Sequence, residues 1–216
     1  MKYNQFYHSC VHNYLINDIE YYLIRAKISF LRYFSNIPLK NKKILEYGCG
    51  MGQNIFLIKN QAKGYDISKF ALKFCKQKGI KIINNKKFIK NNFYDIILSS
   101  HVLEHLENPL NNLKFLNRKL KKGGLLILII PLEKNNKSSL NPDLKNYHLY
   151  SWTFKTINNL LHKAGFKVLR NEVFYGTAYH KLKFLARIRF FLYLSLTTLI
   201  GRLLGSSELK IIAEKK

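Results

Sequence analysis

The segment 46-EYGCGMG-52 combines a carboxylate with three glycines at alternate positions, and it directly follows the apolar run 42-KKIL-45. A glycine-rich turn after a strand exposes backbone N–H groups, which can contact a polar or anionic ligand without an intervening side chain. The segment therefore predicts a ligand-binding turn. The residues of the turn that we expect to contact the ligand are Gly48, Cys49, Gly50 and Gly52.

The spacing and charge of this turn argue against a pyrophosphate ligand. A dinucleotide-binding fingerprint has the spacing GxGxxG, whereas the spacing here is GxGxG and Gln53 occupies the position of the third glycine. Glu46 is expected at the end of the strand, pointing at the ligand, where a carboxylate repels a pyrophosphate and attracts a cation. We therefore expect a ligand with an ammonium or sulfonium group near Glu46.

A second carboxylate, Asp66, follows the next apolar run, one strand–helix unit later. At a strand end it can accept hydrogen bonds from both hydroxyls of a ribose, and such charge-assisted bonds contribute about 1.5–3 kcal/mol each. Together, Glu46 and Asp66 predict S-adenosylmethionine (SAM) as the ligand. The alternative is that Glu46 caps a solvent-facing turn and that Asp66 is an ordinary loop residue.

Composition limits the classes of protein to be considered. The 216 residues suffice for one α/β domain with appendages. The three cysteines lie in no CxxC or Cys/His ligand spacing, so neither a disulfide framework nor a metal site is expected. The chain shows no secretory signal and no run of about 20 apolar residues, which predicts a cytoplasmic protein.

Apolar periodicity divides the chain into four regions. Helical spacing predicts an N-terminal helical cap over residues 1–37. In 38–176, short apolar runs alternate with helical stretches, which predicts a parallel sheet with crossover helices. A basic and apolar insertion, 177–205, precedes a final strand within 206–216. The predicted strands are Lys43–Tyr47, Ala62–Asp66, Ile80–Ile83, Tyr94–Ser99, Leu125–Pro131, Lys167–Val173 and Leu209–Glu214, and the predicted crossover helices are Gln53–Lys59, Lys69–Gly79, Pro109–Leu120 and Thr153–Ala164.

Five segments resemble class I SAM-dependent methyltransferases. The segments 44-ILEYGCGMGQN-54, 64-GYDIS-68 and 94-YDIILSSHVLEHLENP-109 are similar to the regions of the first, second and fourth strands of that family. The segments 122-KGGLLILIIP-131 and 147-YHLYSWTFKTINNLLHKAGFKVL-169 are similar to the fifth strand and to the returning helix with the sixth strand. The resemblance implies a Rossmann-like three-layer α/β sandwich, a seven-stranded, mostly parallel sheet with an antiparallel last strand, and SAM as the cofactor.

The strand ends also supply candidate catalytic and binding residues. In open α/β sheets the ligand lies at the carboxyl ends of the strands. His101 and His148 are candidate general bases, because an imidazole can remove a proton from a hydroxyl or amine near neutral pH. The alternatives are that His101 only hydrogen-bonds the cofactor or packs in its turn, and that His148 lies at the surface.

Further expected cofactor contacts are Ile67, Ser99, Ser100 and, for adenine, Asn85 or Asn84. The expected substrate contacts are His105 and Tyr150. Trp152 is expected in the core.

The insertion and the net charge indicate which large partners, a membrane or a nucleic acid, the protein could contact. The segment 180-HKLKFLARIRFFLYLSLTTLIGRLLG-205 predicts either a basic helix at a membrane interface, at the inner face, or a lid over the acceptor site. The net charge of +25 is compatible with nucleic acid or an anionic membrane, but its lysine-rich bias is also typical of an AT-rich genome. No NPPY-type base-methylation motif occurs where 99-SSHVLEHL-106 stands, so nucleic acid is not the expected partner.

Family analogy and the insertion together suggest an acceptor. We expect methyl transfer to an oxygen or nitrogen of a small-molecule, sugar or lipid-linked acceptor, in the assembly of cell-surface glycans. A quinone, another lipid or a small metabolite is the alternative acceptor, and a nucleic-acid-binding protein is the alternative from another class. The sequence gives no indication of oligomeric state.

Overall fold

A computed structural model describes residues 5–132, 147–176 and 178–216. The chain begins with three helices, α1 (Gln5–Val11), α2 (Asn13–Asn17) and α3 (Ile19–Tyr33), as the helical spacing predicts. Asp18 begins α3, because its side chain accepts a hydrogen bond of 3.0 Å from the N–H of Tyr21. This bond satisfies one of the N–H groups that the first turn of a helix leaves unpaired.

A seven-stranded sheet follows the cap. Its strands are β1 (Ile44–Tyr47), β2 (Ala62–Tyr65), β3 (Lys81–Ile83), β4 (Tyr94–Ser100), β5 (Leu120–Leu132), β6 (Phe166–Tyr175) and β7 (Ser207–Lys215). Their spatial order is β3-β2-β1-β4-β5-β7-β6. The pairs from β3 to β5 are parallel, whereas β7 is antiparallel to both β5 and β6. The predicted mostly parallel sheet with an antiparallel last strand is therefore confirmed.

Three crossover helices are also confirmed, with bounds that differ slightly from the prediction: α4 (Lys69–Gln77), α5 (Pro109–Lys119) and α6 (Phe154–Lys163). Polar side chains cap their first turns. The Ser68 hydroxyl accepts a hydrogen bond of 3.3 Å from the N–H of Ala71, and the Thr153 hydroxyl accepts one of 3.2 Å from the N–H of Thr156. These caps fix where the helices begin, directly after the strand-end loops.

The predicted helix Gln53–Lys59 is wrong, because this segment forms only a 3-10 turn at Phe56–Ile58. Its backbone N–H groups bond three residues back, as in Ile55 to Gly52 at 3.2 Å. The Asn54 side chain bonds Glu46 and Ser29 instead of projecting into solvent, and Ile55 is fully buried. These tertiary contacts favour a tight turn over a regular helix.

Both faces of the sheet carry a hydrophobic core, which confirms the three-layer arrangement. Alternating strand residues point to opposite faces. Leu45 packs in a cluster with residues of α5 and α6, such as Leu113 and Ile157. Its neighbour Ile44 packs in a second cluster, with residues of α3 and α4 such as Cys75. The sheet is therefore rigidly held, and its strand ends are fixed in position.

The insertion forms two helices, α7 (Lys183–Ile188) and α8 (Phe190–Leu204), as predicted for a helical segment before the last strand. Helix α8 lies very close to the end of β6, since a Cβ added to Gly201 would stand 2.1 Å from the nitrogen of Gly176. Within the described ranges, no helix is both long enough and apolar enough to cross a bilayer.

Ion pairs join the insertion to the N-terminal cap. The Asp18 carboxylate contacts His180 Nε2 at 2.8 Å and also binds Lys183. Glu20 Oε2 accepts a hydrogen bond of 2.7 Å from Arg187. Two of the few acidic residues of the chain are therefore used to attach the insertion to the outside of the cap.

Candidate functional site

A cavity of about 550 Å³ lies between the cap and the ends of the parallel strands. The turn after β1 and the loop after β2 line one part of it, including Gly50 and Asp66. The start of the loop after β4, including His101, lines another part, and cap residues such as Arg25 complete the wall. The cavity is thus at the sheet edge where open α/β folds bind ligands.

The glycines of the turn have different roles. A Cβ on Gly48, which has a φ of 80°, would lie 2.2 Å from a methyl of Val102, so only glycine fits. Gly50 has no atom within 4 Å of an added Cβ, and it lines the cavity with its bare backbone. Gly52 does not line the cavity, because the missing Cβ faces Ile80 in the core. Cys49 lines the cavity and its sulfur lies 3.9 Å from that of Cys75.

Asp66 is held by backbone donors at the cavity wall. Its Oδ2 accepts a hydrogen bond of 2.9 Å from the N–H of Gly50, and its Oδ1 accepts one of 2.8 Å from the N–H of Ser68. Each carboxylate oxygen has a further lone pair, so the group can also accept two ribose hydroxyls. Ile67 lines the cavity beside it and is 64 % exposed. Asp66 and Ile67 therefore lie where the sequence predicts them.

Glu46 lies behind the cavity wall instead of pointing into the cavity. It is fully buried, and Asn54, which lines the cavity, donates a hydrogen bond of 2.6 Å to its Oε1. Within the described chain, its Oε2 has no hydrogen-bond partner. Burial raises the pKa of Glu46 to about 8, the bond from Asn54 lowers it, and the charge of Asp66 raises it. A cationic group bound nearby would favour the ionised carboxylate.

His101 forms two ion pairs at the cavity wall. Its Nδ1 lies 3.4 Å from Glu104 Oε1 and its Nε2 lies 3.1 Å from Glu208 Oε1. Burial lowers the pKa of His101, but the two neighbouring carboxylates, Glu104 and Glu208, outweigh this effect and raise the pKa to about 10. The imidazole is therefore protonated at neutral pH. These surroundings do not support the expectation that His101 is a free general base.

Several other predicted contacts lie away from the cavity. Ser100 lines it, whereas Ser99 is buried within β4 and does not. Neither Asn84 nor Asn85 lines the cavity, and both are exposed. The Asn85 side chain accepts a hydrogen bond of 2.9 Å from the N–H of Lys87, which makes it the cap of a 3-10 turn. The structure therefore gives no adenine contact for either asparagine.

The loop before α6 contacts the cavity wall from behind. His105 lines the cavity, and the ring of His148 lies 4.9 Å from that of His105 without lining it. The Tyr150 hydroxyl donates to the carbonyl of Glu107 at 3.0 Å, and its ring stacks on Trp152. Trp152 packs against the main core, as predicted.

Sequence reasoning missed the acceptor side of the cavity. Many of its polar side chains come from the cap. Glu208, at the start of β7, does not line the cavity but contacts His101, which does. The Tyr33 hydroxyl donates to Glu208 Oε2 at 3.3 Å. Burial lowers the pKa of His12 to about 4, so this imidazole is neutral. The missed cap residues that line the cavity include Tyr7, His8, His12, Tyr21, Arg25 and Tyr33.

The insertion does not itself line the cavity within the described residues. Its helices pack against the cap, and α8 also packs against the end of β6. Among the described residues, those of the cap and not those of the insertion line the cavity, so the structure does not support the insertion as a lid over it.

The cavity residues fit SAM. The bare backbone of Gly50 and the fixed carboxylate of Asp66 suit the ribose. Glu46, behind the wall with Oε2 unpartnered among the described residues, suits a cationic group bound nearby. A pyrophosphate would meet the Asp66 carboxylate at this site, so a dinucleotide fits less well.

Comparisons with known proteins agree with this geometry. A family model described as a methyltransferase domain matches residues 19–171. The ubiquinone biosynthesis O-methyltransferase of Pelagibacter ubique is 27 % identical over 124 residues, which cover 52 % of this chain and 48 % of that protein. The tRNA U34 carboxymethyltransferase of Glaesserella parasuis is 27 % identical over 161 residues, which cover 62 % of this chain and 48 % of that protein. The chain spans about half the length of the curated relatives it matches.

A solved structure shows the same fold over nearly the whole chain. It is a SAM-dependent methyltransferase from Thermotoga maritima, described as a possible histamine N-methyltransferase, and it is 18 % identical to this chain. The similarity covers 98 % of this chain and 99 % of that one, with a TM-score of 0.63. The family match, the sheet order and the cavity together show that the chain belongs to the class I SAM-dependent methyltransferases.

Proposed function

We propose that this protein transfers the methyl group of SAM to an oxygen or nitrogen of a small acceptor, which is a sugar or a lipid-linked intermediate of cell-surface glycan assembly. One observation carries the proposal: the cavity lined by Gly50 and Asp66 is also lined by Arg25, His101 and several tyrosines of the cap. A polar acceptor of small size can therefore lie beside the cofactor, with hydrogen-bonding groups around it. The choice of a glycan acceptor rests on family analogy and on the insertion.

Bound SAM supplies a methyl group on a sulfonium, which is an excellent leaving group. The protein then has to position the two reactants and exclude water. Asp66 holds the ribose, and the cap covers the cavity. Arg25, Tyr21 and Tyr33 offer donors and acceptors for the polar groups of the acceptor.

The protonated imidazole of His101 has a positioning role in this proposal. Its two carboxylate partners fix the ring, so it can donate to an acceptor atom only by exchanging one of them. A neutral imidazole can receive a proton from an acceptor hydroxyl. His12 lines the cavity, but burial lowers its pKa to about 4, which makes it a weak base. His148 stays a predicted base, and it does not line the cavity.

The exposed apolar surface of the insertion supports a lipid-linked acceptor. On α7 and α8, the side chains of Phe184, Ile188, Phe191, Leu192, Leu199, Leu203 and Leu204 are exposed. Lys181, Arg189 and Arg202 beside them are exposed as well. An apolar helix face with flanking basic residues can lie in the interface of an anionic bilayer. We propose that this surface, named here the insertion face, contacts the membrane peripherally.

The proposed reaction is tested with radiolabelled SAM and a panel of acceptors. We expect methyl transfer to nucleotide sugars or lipid-linked sugars, and less or none to quinols, small amines or bulk tRNA. A Tyr33→Phe variant should reduce the rate with the accepted substrate and leave the affinity for SAM unchanged. Methylation of tRNA or a quinol in preference to every sugar would contradict the glycan assignment.

A further inference from the structure

Glu104, His105 and His148 form a cluster that the proposed cofactor contacts do not use. One ligand atom from each residue lies within 4.8 Å of the other two. Glu104 and His105 belong to the 3-10 turn after β4, and His148 belongs to the loop before α6. We propose that these three side chains bind a divalent transition-metal ion, such as Zn²⁺ or Fe²⁺.

The buried Glu104 carboxylate has one charged neighbour, His101, and that neighbour contacts only one of its two oxygens. It is fully buried, and in the part of the chain that the structure describes neither of its oxygens accepts a hydrogen bond. His101 Nδ1 lies 3.4 Å from Oε1, which leaves Oε2 without a contact of that kind. Carrying a carboxylate out of water is costly unless a cation or donors compensate. A metal ion on Oε2 would supply this compensation.

His105 has the hydrogen bond that orients a metal-ligating imidazole. Its Nδ1 lies 3.3 Å from the carbonyl oxygen of Tyr147. Because a carbonyl can only accept, Nδ1 carries the proton and Nε2 carries a lone pair. Ligating histidines commonly donate their second ring nitrogen to a backbone carbonyl in this way, which fixes both the tautomer and the ring orientation.

Two hydrogen bonds hold the loop that carries His148 against the turn. The N–H of Leu149 donates to the backbone carbonyl of Glu104 at 2.8 Å, and the Tyr150 hydroxyl donates to the carbonyl of Glu107 at 3.0 Å. The His148 ring therefore lies 4.9 Å from the ring of His105. With metal–ligand bonds of about 2.0–2.2 Å, side-chain shifts of about 1 Å would close the site.

The ligand types indicate the class of metal. Two imidazoles and one carboxylate favour Zn²⁺, Fe²⁺ or a similar ion over Mg²⁺ and Ca²⁺, which prefer oxygen ligands. Three protein ligands leave coordination positions open. His105 also lines the cavity, so an acceptor oxygen can occupy one of these positions.

The use of this open position rests on the proposed function. A hydroxyl bound to the ion would lose its proton to water more readily. Its oxygen would then form the bond to the methyl carbon, while the carbon–sulfur bond breaks and its electron pair remains on sulfur.

The test uses the protein without a histidine tag. It is stripped of metal with a chelator, and separate samples are then titrated with Zn²⁺ and with Co²⁺. We expect one ion per chain with a micromolar or tighter Kd, and visible absorption from bound Co²⁺. His148→Ala should weaken Zn²⁺ binding at least tenfold. His162→Ala, which removes an exposed histidine of α6, is the matched control and should change nothing. Absence of binding, or equal binding by His148→Ala and the wild type, would overturn the site.

A second variant and a second readout separate this inference from the proposed function. Glu104→Gln should abolish the cobalt spectrum, and if its circular dichroism shows that it is unfolded, His148→Ala decides alone. Chelation should leave SAM binding unchanged and should reduce methyl transfer to the acceptor. Failure to bind SAM under any condition would instead contradict the proposed reaction. Unchanged methyl transfer by the chelated protein would overturn the role of the ion in activating the acceptor.

Discussion

The two sides of the cavity are built in different ways. The cofactor side consists of the turn after β1 and the loop after β2, which follow consecutive strands, and the N–H of Gly50 donates a hydrogen bond to Asp66, 16 residues along the chain. The acceptor side joins residues far apart in sequence, such as His101 with Glu208. Two loops from consecutive strands thus define the cofactor site, whereas segments more than 100 residues apart meet at the acceptor site.

This contrast predicts that single substitutions act on one side at a time. The largest effect is expected for Asp66→Ala, which removes a carboxylate held by the N–H groups of Gly50 and Ser68. Loss of two charge-assisted hydrogen bonds to the ribose should weaken SAM binding by about 100-fold or more. Calorimetry measures this change, and Glu107→Ala, at an exposed position, is the control. An affinity within about twofold of the wild type would remove Asp66 from the cofactor site.

Sequence reasoning succeeded where local chemistry determines structure. The glycine spacing and the acidic residue after β2 are signals that can be read from a few residues, and Gly50 and Asp66 line the cavity as predicted. It failed at Gln53–Lys59, where Asn54 is drawn inward by Glu46 and Ser29. Helical periodicity cannot show these contacts of Asn54, because the contacts depend on β1 and α3, which lie elsewhere in the chain.

The acceptor side gave weaker signals for the same reason. Arg25 and Tyr33 lie within an ordinary amphipathic pattern, and nothing in the spacing shows that one face of that helix covers a cavity. Glu208 reaches His101 only because β7 is antiparallel and begins beside the end of β5. The one usable signal was the scarcity of acidic residues in a chain of net charge +25, which makes each carboxylate worth examining.

The second-largest effect is expected at the insertion face, for which we propose a membrane contact. Lys181 and Arg189 are exposed, whereas Lys183 and Arg187 are paired with the cap residues Asp18 and Glu20. Each unpaired basic residue near an anionic bilayer adds about 1 kcal/mol of attraction. Replacing Lys181 and Arg189 with Gln should therefore weaken binding to phosphatidylserine vesicles by about 30-fold, with binding that falls as salt rises.

Co-sedimentation with vesicles tests this prediction, and the pair Lys183→Gln and Arg187→Gln is the matched control with the same change in net charge. The control should lose less binding, because these two side chains are already engaged with carboxylates. Equal losses in both double variants would indicate that only overall charge matters. Binding to neutral vesicles as strong as to anionic ones would contradict a charge-assisted contact.

A smaller effect is expected from the protonation of Glu46 on the cofactor side. Burial raises the pKa of Glu46 to about 8, so its carboxyl is mostly protonated at neutral pH without ligand. A bound ammonium or sulfonium should lower this pKa, so binding of SAM should release a proton. SAM affinity should thus rise by up to about tenfold per pH unit between pH 6 and 7.5, below the range where an α-amino group loses its own proton.

Calorimetry in buffers with different ionisation enthalpies measures the released proton directly. Glu46→Gln keeps the shape of the side chain and the contact with Asn54, but it cannot ionise. This variant should bind SAM more weakly and with no dependence on pH in this range. A pH-independent affinity of the wild type would show that Glu46 does not sense the charge of the cofactor.

The smallest effect is expected where the insertion is attached to the cap. Asp18→Asn keeps a side-chain oxygen that can cap α3, but it removes the negative charge that binds His180 and Lys183. The hydrogen bonds from Lys183 and from the Tyr21 N–H lower the pKa of Asp18. The ionised carboxylate therefore stabilises the fold above the ordinary carboxyl pKa, and this stabilisation is lost as the pH falls below that value. Exposed ion pairs contribute about 1 kcal/mol or less. Thermal unfolding at neutral pH should therefore show that Asp18→Asn lowers the free energy of unfolding by about 1 kcal/mol. This difference should shrink with added salt and in strong acid. The affinity for SAM should stay constant. A change in SAM affinity of more than about threefold would mean that the two sides of the cavity are coupled through the cap and are not independent.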